Sequence, residues 1–300
     1  MSVGRGAADR WQDEVVAGLS AAPRALAAAC APAWSRIGGN ATELWSLVLG
    51  AARYFVKAAQ LDNAFMLSAE AEALLAIGQT GAVRVPRVIA RGEAKRAAFL
   101  VLEWLDLVDG GRDAALGGAL ASLHATTSPR FGWHRDNTIG ATLQVNAWGD
   151  DWAAFFRDRR LRPQLELAQR NGYGGTLQRG GAQLLERVPR LLHGHRPAAS
   201  LLHGDLWAGN AGALRDGTPV VYDPATYYGD REVDLAMSEL FGGFGADFYT
   251  AYIRALPLPE GCEMRRTLYN LYHVLNHLNL FGNAYRARAE SMIATLLANR

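Results

Sequence analysis

The segment covering residues 201–223 constrains the fold of this chain more than any other, and it reads LLHGDLWAGNAGALRDGTPVVYD. Its Asp216-Gly217 pair predicts a two-residue turn between two short strands. In that register Asn210 lies directly opposite Asp223, with Cβ atoms about 4.5–5.5 Å apart. An amide oxygen and a carboxylate in this arrangement can bind one hard cation such as Mg²⁺. The sequence therefore predicts a hairpin with a metal site at its open end.

Asp205 stands five residues before Asn210, directly after an apolar pair and His203-Gly204. An aspartate, an asparagine five residues later and an aspartate at a strand end follow the order of a kinase catalytic loop. In this interpretation Asp205 is the catalytic base, and Asn210 and Asp223 bind the metal. In the alternative interpretation the segment is a polar loop and a hairpin, and its Asp and Asn are turn residues.

A second group of candidates lies in the first third of the chain. Lys57 is one of only two lysines, which makes it a candidate for a role that needs a compact ammonium group. It has apolar neighbours on the second strand of a hairpin predicted over residues 36–59, and so needs an anionic partner. On the helix predicted over residues 64–77, Glu70 falls on the apolar stripe. The pair matches the Lys/Glu pair that positions nucleotide phosphates in kinases. In the alternative interpretation Lys57 is a surface lysine and Glu70 is a tolerated helical glutamate.

Two short segments near these residues are further candidates for nucleotide contacts. A Gly-Gly-Asn segment before the hairpin has backbone N–H groups that can approach phosphates, although a plain turn explains it equally well. A Glu-Trp-Leu segment at the end of the last predicted strand can pair with adenine through its backbone, although a strand end explains it too. The residues are Gly38, Gly39, Asn40, Glu103, Trp104 and Leu105.

The order of predicted elements indicates an α+β fold with two lobes. Residues 1–102 predict a small lobe with an antiparallel sheet and one main helix, preceded by helical segments over the first 35 residues. Residues 103–300 predict a larger, mostly helical lobe, with a hinge at about 103–106. The predicted helices of the larger lobe cover residues 114–124, 150–169 with a kink at Pro163, 176–188, 234–241 and 265–280.

Charge and cysteine content exclude several classes of function. Lys and Arg total 31 against 29 Asp and Glu, so neither a nucleic-acid partner nor a membrane partner is indicated. Cys30 and Cys262 lie in no metal-ligand spacing, and no apolar run reaches the ~18 residues of a membrane span. A P-loop is excluded because neither lysine precedes Ser or Thr. We expect a cytoplasmic protein, and the sequence does not indicate its oligomeric state.

Two polar clusters have simpler explanations than a functional site. His273 and His277 have the spacing of metal ligands on a helix, but the glutamate of a zinc protease motif is missing between them. We therefore expect them to pack in the core. The four arginines within residues 157–162, Arg160 among them, alternate with an aspartate and predict a solvated helix face.

Several stretches resemble the fructosamine kinase (ketosamine-3-kinase) family, within the superfamily of aminoglycoside phosphotransferases and choline kinase-like proteins. HGDLWAGN is typical of the superfamily, and FGWHRDNTIG, DDWAAFFRDRRL and YYGDREVDLAMSELFGGF are typical of the fructosamine kinase branch. With FVKAA, VRVPRV, LVLEWLDL and LYNLYHVLNHLNLFG, the resemblance extends over about residues 36–282.

The resemblance implies a protein-kinase-like fold that uses ATP and Mg²⁺ to phosphorylate the sugar 3-hydroxyl of ketosamines, the products of amine glycation. The unstable 3-phosphate then eliminates and frees the amine, which links the family to deglycation. The resemblance also implies that the partner is a small ketosamine or a glycated protein lysine.

Individual residues also match positions of the family. The resemblance implies that Asp205 is the base and that Trp207 lies beside the acceptor site, where it can stack on the sugar or hold a cationic amine. Core packing is the alternative for Trp207. The metal ligands, the nucleotide pair and the hinge are implied to be Asn210, Asp223, Lys57, Glu70 and residues 103–105. Asn137, Asp230 and Glu232 fall in family-like segments and are implied to line the acceptor pocket.

Two other functions stay open at the level of sequence. A kinase for another amino alcohol, of the aminoglycoside or choline type, is expected to carry more acidic residues in its acceptor pocket. A pseudokinase that only binds nucleotide is disfavoured, because Lys57, Asp205, Asn210 and Asp223 are all intact. The letters DPA at residues 223–225, with no APE segment after them, argue against a protein kinase with an activation loop.

Overall fold

The computed structural model describes residues 10–20, 31–39, 42–108 and 113–298 of the chain. The chain divides into two compact units. One consists of Met1–Gly78 and Val85–Asp106, and the other of Gln79–Arg84 and Leu107–Arg300. The predicted hinge residues belong to the end of the first unit, and the predicted lobe boundary after residue 102 stays a prediction.

The first unit contains a five-stranded antiparallel sheet with the order β1-β2-β3-β5-β4. Its strands are β1 (Ala33–Gly38), β2 (Glu43–Leu49), β3 (Ala52–Ala59), β4 (Val88–Glu93) and β5 (Ala98–Glu103). β2 and β3 form the predicted hairpin, in which Leu44 pairs with Lys57. The predicted helical segments are wrong for the first residues of β1, because Trp34 extends the sheet and packs on its core.

Two helices of this unit, α1 (Arg10–Ser20) and α2 (Ala64–Gln79), contact opposite faces of the sheet. Successive side chains of a strand point to opposite faces. On β3, Val56 packs in a buried cluster with Val15 of α1. Lys57 therefore points to the other face, where it contacts Glu70 of α2. The predicted start of α2 at Ala64 is confirmed, although the helix continues through the expected stop at residue 78.

The second unit is mostly helical. Its helices are α3 (Asp113–His124), α4 (Trp152–Phe156), α5 (Arg162–Arg170), α6 (Thr176–Leu191), α7 (Glu232–Leu240), α8 (Ala246–Ala255), α9 (Cys262–Phe281) and α10 (Arg286–Ala298). The sequence did not predict α8 and α10. α8 packs against α3, and α10 packs against α6 and α9. None of the helices described is long and apolar enough to cross a membrane.

Short strands of the second unit position its loops. One sheet has the order β12-β9-β6, and two further pairs are β7-β8 and β10-β11. The bounds are β6 (Thr127–Ser128), β7 (Asn137–Ile139), β8 (Thr142–Gln144), β9 (Ala199–Leu201), β10 (Ala211–Ala213), β11 (Pro219–Val221) and β12 (Tyr228–Gly229). β9 leads into the loop that carries Asp205, and β11 leads into Asp223.

The predicted helix over residues 150–169 contains a π-helical turn, Arg157–Leu161, between α4 and α5. Pro163 has no N–H to donate to the carbonyl of Arg159, and the guanidinium of Arg160 donates to that carbonyl at 2.9 Å. The prediction of a solvated face is wrong for Arg160, which is 0 % exposed. It is buried because its guanidinium packs 3.9 Å from the centre of the Tyr227 ring.

The β10-β11 hairpin has a register that differs by one residue from the predicted one. Ala211 pairs with Val221, and the N–H of Leu214 donates to the carbonyl of Thr218 at 2.9 Å. The loop therefore has three residues instead of two. Gly217 closes it in the left-handed region, at φ 84°.

The predicted opposition of Asn210 and Asp223 is wrong as a consequence of this turn. Asn210 instead pairs with Tyr222, whose N–H donates to the Asn210 carbonyl at 3.0 Å. Because one residue is added to the loop, Asp223 lies one position beyond the residue that faces Asn210.

Candidate active site

A buried carboxylate of α7 anchors the residue 203–210 loop, called here the Asp205 loop. Asp234 accepts hydrogen bonds from the N–H groups of His203 at 2.7 Å and Gly204 at 2.8 Å. Its Oδ2 also lies 3.1 Å from Nε2 of His124 on α3. Burial acts to raise the pKa of Asp234. The hydrogen bond and charge of His124 oppose this effect, as do the interactions with His203 and with the backbone of Gly204. The resulting pKa lies below its usual value. An ionised carboxylate thus fixes the loop to two helices.

His203 links the Asp205 loop to residues 222–226, called here the Asp223 loop. Its Nε2 lies 3.0 Å from the carbonyl oxygen of Tyr222, and the N–H of Asp205 lies 3.3 Å from its Nδ1. Because a carbonyl only accepts, Nε2 carries the proton and Nδ1 accepts. Burial lowers the pKa of His203 despite the nearby carboxylates of Asp234 and Asp223, so the ring is neutral.

The two loops also meet at Gly204, where no other residue fits. Its φ is 85°, and a Cβ atom there would lie 2.1 Å from the carbonyl oxygen of Ala225. The N–H of Ala225 donates to the carbonyl of His203 at 2.9 Å. The backbones of the Asp205 loop and the Asp223 loop are therefore in direct contact.

Asp205 lies in a setting that favours its protonated form. The side-chain amide of Asn210 donates to the Asp205 carbonyl at 2.9 Å and to its Oδ2 at 3.2 Å. Burial, followed by the charge of Asp223, raises the pKa of Asp205 to about 7 even though the Asn210 bond opposes the shift. The carboxyl group is therefore near the midpoint of its titration at neutral pH, where a general base is most effective.

Asp223 adopts a backbone conformation that is rare for its residue type. Its φ is 57°, and among the described residues it is the one non-glycine residue with a positive φ. Its charge raises the pKa of Asp205, so the two carboxylates interact. The carboxylate of Asp223 and the side-chain oxygen of Asn210 are hard oxygen donors of the kind that Mg²⁺ prefers. The donor chemistry therefore fits Mg²⁺.

In the first unit, the predicted pairing of Lys57 with Glu70 is confirmed. The Lys57 Nζ lies 2.8 Å from Oε1 and 2.9 Å from Oε2 of Glu70. The two side chains are 7 % and 14 % exposed, so the pair is largely removed from water. A buried ammonium held by one carboxylate is suited to binding phosphate oxygens. Its contact with a nucleotide stays a prediction.

The other residues predicted to contact the nucleotide in this unit lie at the ends of β1 and β5. Gly38 ends β1, Gly39 has φ 114°, and Asn40 lies outside the described residues. Glu103 accepts hydrogen bonds from the backbone N–H and the Nε of Arg87 at 3.1 and 3.2 Å.

Trp104 contacts a cation of β3 rather than lying free at the strand end. The guanidinium carbon of Arg53 lies 3.5 Å from the centre of its ring. The indole N–H donates to Asp106 at 2.9 Å. Leu105 is the second residue after β5 and is half-buried. The adenine contacts predicted for residues 103–105 stay predictions.

Trp207 is the predicted acceptor residue with an accessible ring, and it is 39 % exposed. A Cβ atom on Gly209 would lie 2.2 Å from the ring, so the indole packs directly on the backbone of this glycine. The outer edge of the ring is thus held by this backbone, and part of the indole stays accessible to solvent. An exposed aromatic face is suited to stacking on a sugar.

Asn137 is buried and bonded to protein groups, with 3 % of its surface exposed. Its Nδ2 donates to the carbonyl of Thr226 at 2.8 Å, and its Oδ1 accepts from Gln144 and Asn146, both at 2.8 Å. The structure thus places this candidate next to the Asp223 loop, with its polar atoms turned inward.

Asp230 and Glu232 lie in a different part of the second unit. They line a cavity of about 930 Å³ whose lining does not include Asp205. Asp230 lies 2.6 Å from both His195 Nε2 and the Tyr269 hydroxyl. Glu232 forms a bidentate ion pair of 2.8 Å with the guanidinium of a buried arginine, Arg265. Their role in binding the acceptor stays a prediction.

Sequence reasoning missed Asp234 and His124, which hold the Asp205 loop. Both are polar residues within otherwise apolar helical stretches, LASLH and EVDLAM, and are completely or almost completely buried. A polar residue at a predicted core position is the signal that could have identified them. The prediction for His273 and His277 is confirmed for His273, which is 0 % exposed and whose pKa burial lowers to about 3.

Comparisons with known proteins agree on one family. The family model described as "Fructosamine kinase" matches residues 27–299. A Synechocystis protein named "Probable ketoamine kinase" is 48% identical over 263 residues, which cover 87% of this chain and 88% of that protein.

Solved structures resemble the chain over a similar length. A Haemophilus somnus protein described as a fructosamine-3-kinase has a TM-score of 0.83 at 29% identity, over 88% of this chain and 91% of that one. The aminoglycoside phosphotransferase APH(4)-Ia has a TM-score of 0.62 at 15% identity, over 89% of this chain and 96% of that one. The second similarity shows the fold alone. Together they confirm the predicted α+β, protein-kinase-like fold.

Proposed function

The chain belongs to the fructosamine kinase family, and we propose that it transfers the γ-phosphoryl group of ATP to the 3-hydroxyl of a ketosamine sugar. The bond between the γ-phosphorus and the bridging oxygen breaks, a bond to the sugar O3 forms, and ADP leaves. The hydroxyl proton passes to Asp205. The 3-phosphate ester then eliminates inorganic phosphate, and water hydrolyses the remaining carbon–nitrogen bond, which frees the amine.

The observation that carries this proposal is the environment of Asp205. Asn210 orients its carboxyl group, and burial with the charge of Asp223 raises its pKa to about 7. A carboxylate with that pKa accepts a proton from a hydroxyl more readily than one with an ordinary pKa near 4. The rigid attachment of the loop to Asp234 keeps the base in one position.

The nucleotide and metal contacts belong to this proposal. Lys57, held by Glu70, binds phosphate oxygens of ATP, and backbone groups of residues 38–40 and 103–105 assist. Asn210 and Asp223 hold Mg²⁺ through their side-chain oxygens. Such an ion neutralises charge on the phosphate oxygens.

The acceptor site is built around Trp207 in this proposal. Its exposed ring provides a face on which the sugar stacks, and the same face attracts the cationic amine of the ketosamine. A small glycated amine and a glycated protein lysine share this chemistry. A cytoplasmic location is part of the proposal.

Release of ADP from the full chain with four acceptors tests the proposal directly. We expect turnover with fructoselysine or ribuloselysine, and none above background with kanamycin or choline. The Asp205→Asn variant should lose about 10²-fold or more in kcat, because the base is removed while the shape is kept. Turnover with kanamycin or choline alone, or an undiminished Asp205→Asn variant, would contradict the proposed activity or the proposed base respectively.

A further inference from the structure

Four buried polar side chains lie directly behind the Asp223 loop and form a continuous hydrogen-bonded chain, called here the amide network. Its members are Asn137, Gln144, Asn146 and Arg160, and none is more than 3 % exposed. Two of its members donate to the loop. Asn137 Nδ2 lies 2.8 Å from the carbonyl oxygen of Thr226, and Gln144 Nε2 lies 3.0 Å from that of Ala225.

The chemistry of the amide network permits only one orientation of its side-chain amides. Arg160 can only donate, so Asn146 Oδ1 must accept from its Nη2 at 2.7 Å. The Asn146 Nδ2 then donates to Asn137 Oδ1 at 2.8 Å. Asn137 therefore has only its Nδ2 to offer to Thr226, whose carbonyl can only accept. The buried guanidinium of Arg160 thus determines that Asn137 donates to the Asp223 loop.

Gln144 is fixed in the same way from a second side. The hydroxyl of Tyr272 on α9 donates to Gln144 Oε1 at 2.7 Å. The Nε2 of Gln144 consequently faces the Ala225 carbonyl and Asn137 Oδ1. Tyr272 of α9 thus fixes the donor to the Ala225 carbonyl, as Arg160 of the π-helical turn fixes the donor to the Thr226 carbonyl.

Arg160 is a stable end point for the amide network because its position is itself fixed. Its Nη1 donates to the carbonyls of Val145 at 2.6 Å and Arg159 at 2.9 Å. The latter carbonyl is the one that Pro163 leaves without a helical donor. The Tyr227 ring lies below the guanidinium at 3.9 Å.

The Asp223 loop needs such support, because a left-handed conformation at a non-glycine residue is strained and persists only where the surroundings impose it. Upstream, Tyr222 is held by Asn210 and His203. Downstream, the amide network holds Ala225 and Thr226. The strained residue lies between these two fixed points.

We propose that Asn137 and Gln144 are positioning residues, which hold the Ala225 and Thr226 carbonyls so that Asp223 keeps the backbone conformation in which it binds the metal. This inference rests on the proposed role of Asp223 in binding Mg²⁺. It assigns to Asn137 an action through the loop backbone rather than direct contact with the acceptor.

The Asn137→Asp variant tests the inference, because it removes one donor, keeps the size of the side chain and leaves two oxygens facing each other at Thr226. We expect the Kd for ADP measured by calorimetry in excess Mg²⁺ to rise about 10-fold, and the Kd in EDTA to stay unchanged. We expect kcat to fall between about 10-fold and 10²-fold, as for a misplacement near 1 Å.

Asn276→Asp is the matched control. Asn276 is 2 % exposed and donates to a backbone carbonyl, that of Ile139 at 3.4 Å, outside the Asp223 loop. Its variant should lose thermal stability to a similar extent without changing the Mg²⁺ dependence of ADP binding. A similar change of that dependence in both variants would overturn the inference.

A double-mutant cycle with Asp223→Asn separates positioning from general destabilisation. Because Asn137 acts through Asp223, Asn137→Asp should have no further effect on Mg²⁺-dependent ADP binding once Asp223 is replaced. Additive effects would overturn the inference. If Asn137→Asp does not fold, Gln144→Met, which keeps the volume and removes the donor to Ala225, takes its place in the cycle.

The same cycle distinguishes the inference from the proposed function. If Asp223→Asn binds ADP with an unchanged Mg²⁺ dependence, the metal role of Asp223 is wrong. If Asp223→Asn loses that dependence while Asn137→Asp and Gln144→Met retain it, the inference alone is wrong.

Discussion

Asp205 illustrates how a catalytic requirement at a single residue opposes stability. The carboxyl group lies against Asn210, and both its partial burial and the charge of Asp223 act on it. Both the burial and the charge disfavour its ionised form in the folded state. In the unfolded chain the same group has an ordinary pKa near 4. The group therefore binds a proton more tightly in the folded protein than in the unfolded one.

This difference sets the sign of a pH dependence. A raised folded-state pKa contributes stability that is fully present below pH ~4 and is lost as the pH rises to about 7. Asp205→Asn removes this titration. The variant should therefore become more stable relative to the parent protein as the pH rises from 4 to 7, and the difference should stay constant above pH 7. With about 1–2 kcal/mol remaining after solvent screening, the Tm at pH 8 should rise by roughly 1.5–3 °C for a chain of 300 residues.

Differential scanning fluorimetry at pH 5, 6, 7 and 8 measures this effect. Asp216→Asn is the control. The backbone N–H of Thr218 lowers the pKa of this exposed carboxyl, so its effect on stability changes with pH in the direction opposite to that of Asp205. That variant should gain no stability at high pH. A Tm difference for Asp205→Asn that is the same at every pH would contradict the explanation.

At the residue scale the sequence predicts contacts that depend on local periodicity. Lys57 and Glu70 follow from strand alternation and helix spacing, and their pairing is confirmed. The Asn210–Asp223 opposition depended on the length of one turn and was wrong by one residue. Arg160 was misassigned because its burial depends on aromatic rings that are distant in sequence.

At the scale of elements, α1 covers the face of the first sheet that lies opposite Lys57. Trp11 on this helix packs edge-on against Trp34 at 5.4 Å and Trp45 at 6.2 Å. Leu19, 4 % exposed, belongs to the same buried cluster. Helix α1 itself lies before the residues matched by the family model, which begin at residue 27.

Leu19→Ala should therefore lower the free energy of unfolding by about 3 kcal/mol through lost burial and a cavity. Asp13→Ala, at an exposed position of the same helix, should change it by less than about 0.5 kcal/mol. Urea unfolding monitored by tryptophan fluorescence measures both free-energy changes. Equal effects of the two substitutions would show that α1 does not pack on the sheet in solution.

The sequence predicted elements with strong internal patterns better than those defined by their neighbours. α2 has a clear apolar stripe and a defined start, and both were predicted. α8 and α10 were missed, because their buried residues, such as Phe248 and Ile293, are selected by packing on other helices. Short strands of two or three residues, such as β9 and β12, carry too little pattern to be recognised.

At the scale of the whole molecule, the proposed function assigns a nucleotide contact to Lys57 and a metal contact to Asp223. Binding of a ligand to the folded state at 100 times its Kd adds about 2.7 kcal/mol of stability. We expect ADP with Mg²⁺ to raise the Tm of the full chain accordingly. Lys57→Met and Asp223→Asn should each remove most of that shift, although the two residues belong to different units.

The chain offers a matched control for the lysine. Lys95 is the other lysine, and it is exposed. Lys95→Met should keep the full shift in Tm. A full shift in the Lys57→Met variant would show that this ammonium does not bind the nucleotide.

The burial of Arg160 also has a consequence for biosynthesis. A guanidinium loses its hydration only where aromatic rings and carbonyl groups replace the water. The groups that surround Arg160 belong to residues as far apart in sequence as Val145 and Tyr272. On the ribosome the cation is made more than one hundred residues before the last of these partners emerges. Arg160 therefore cannot have all of its buried partners until α9 has been translated.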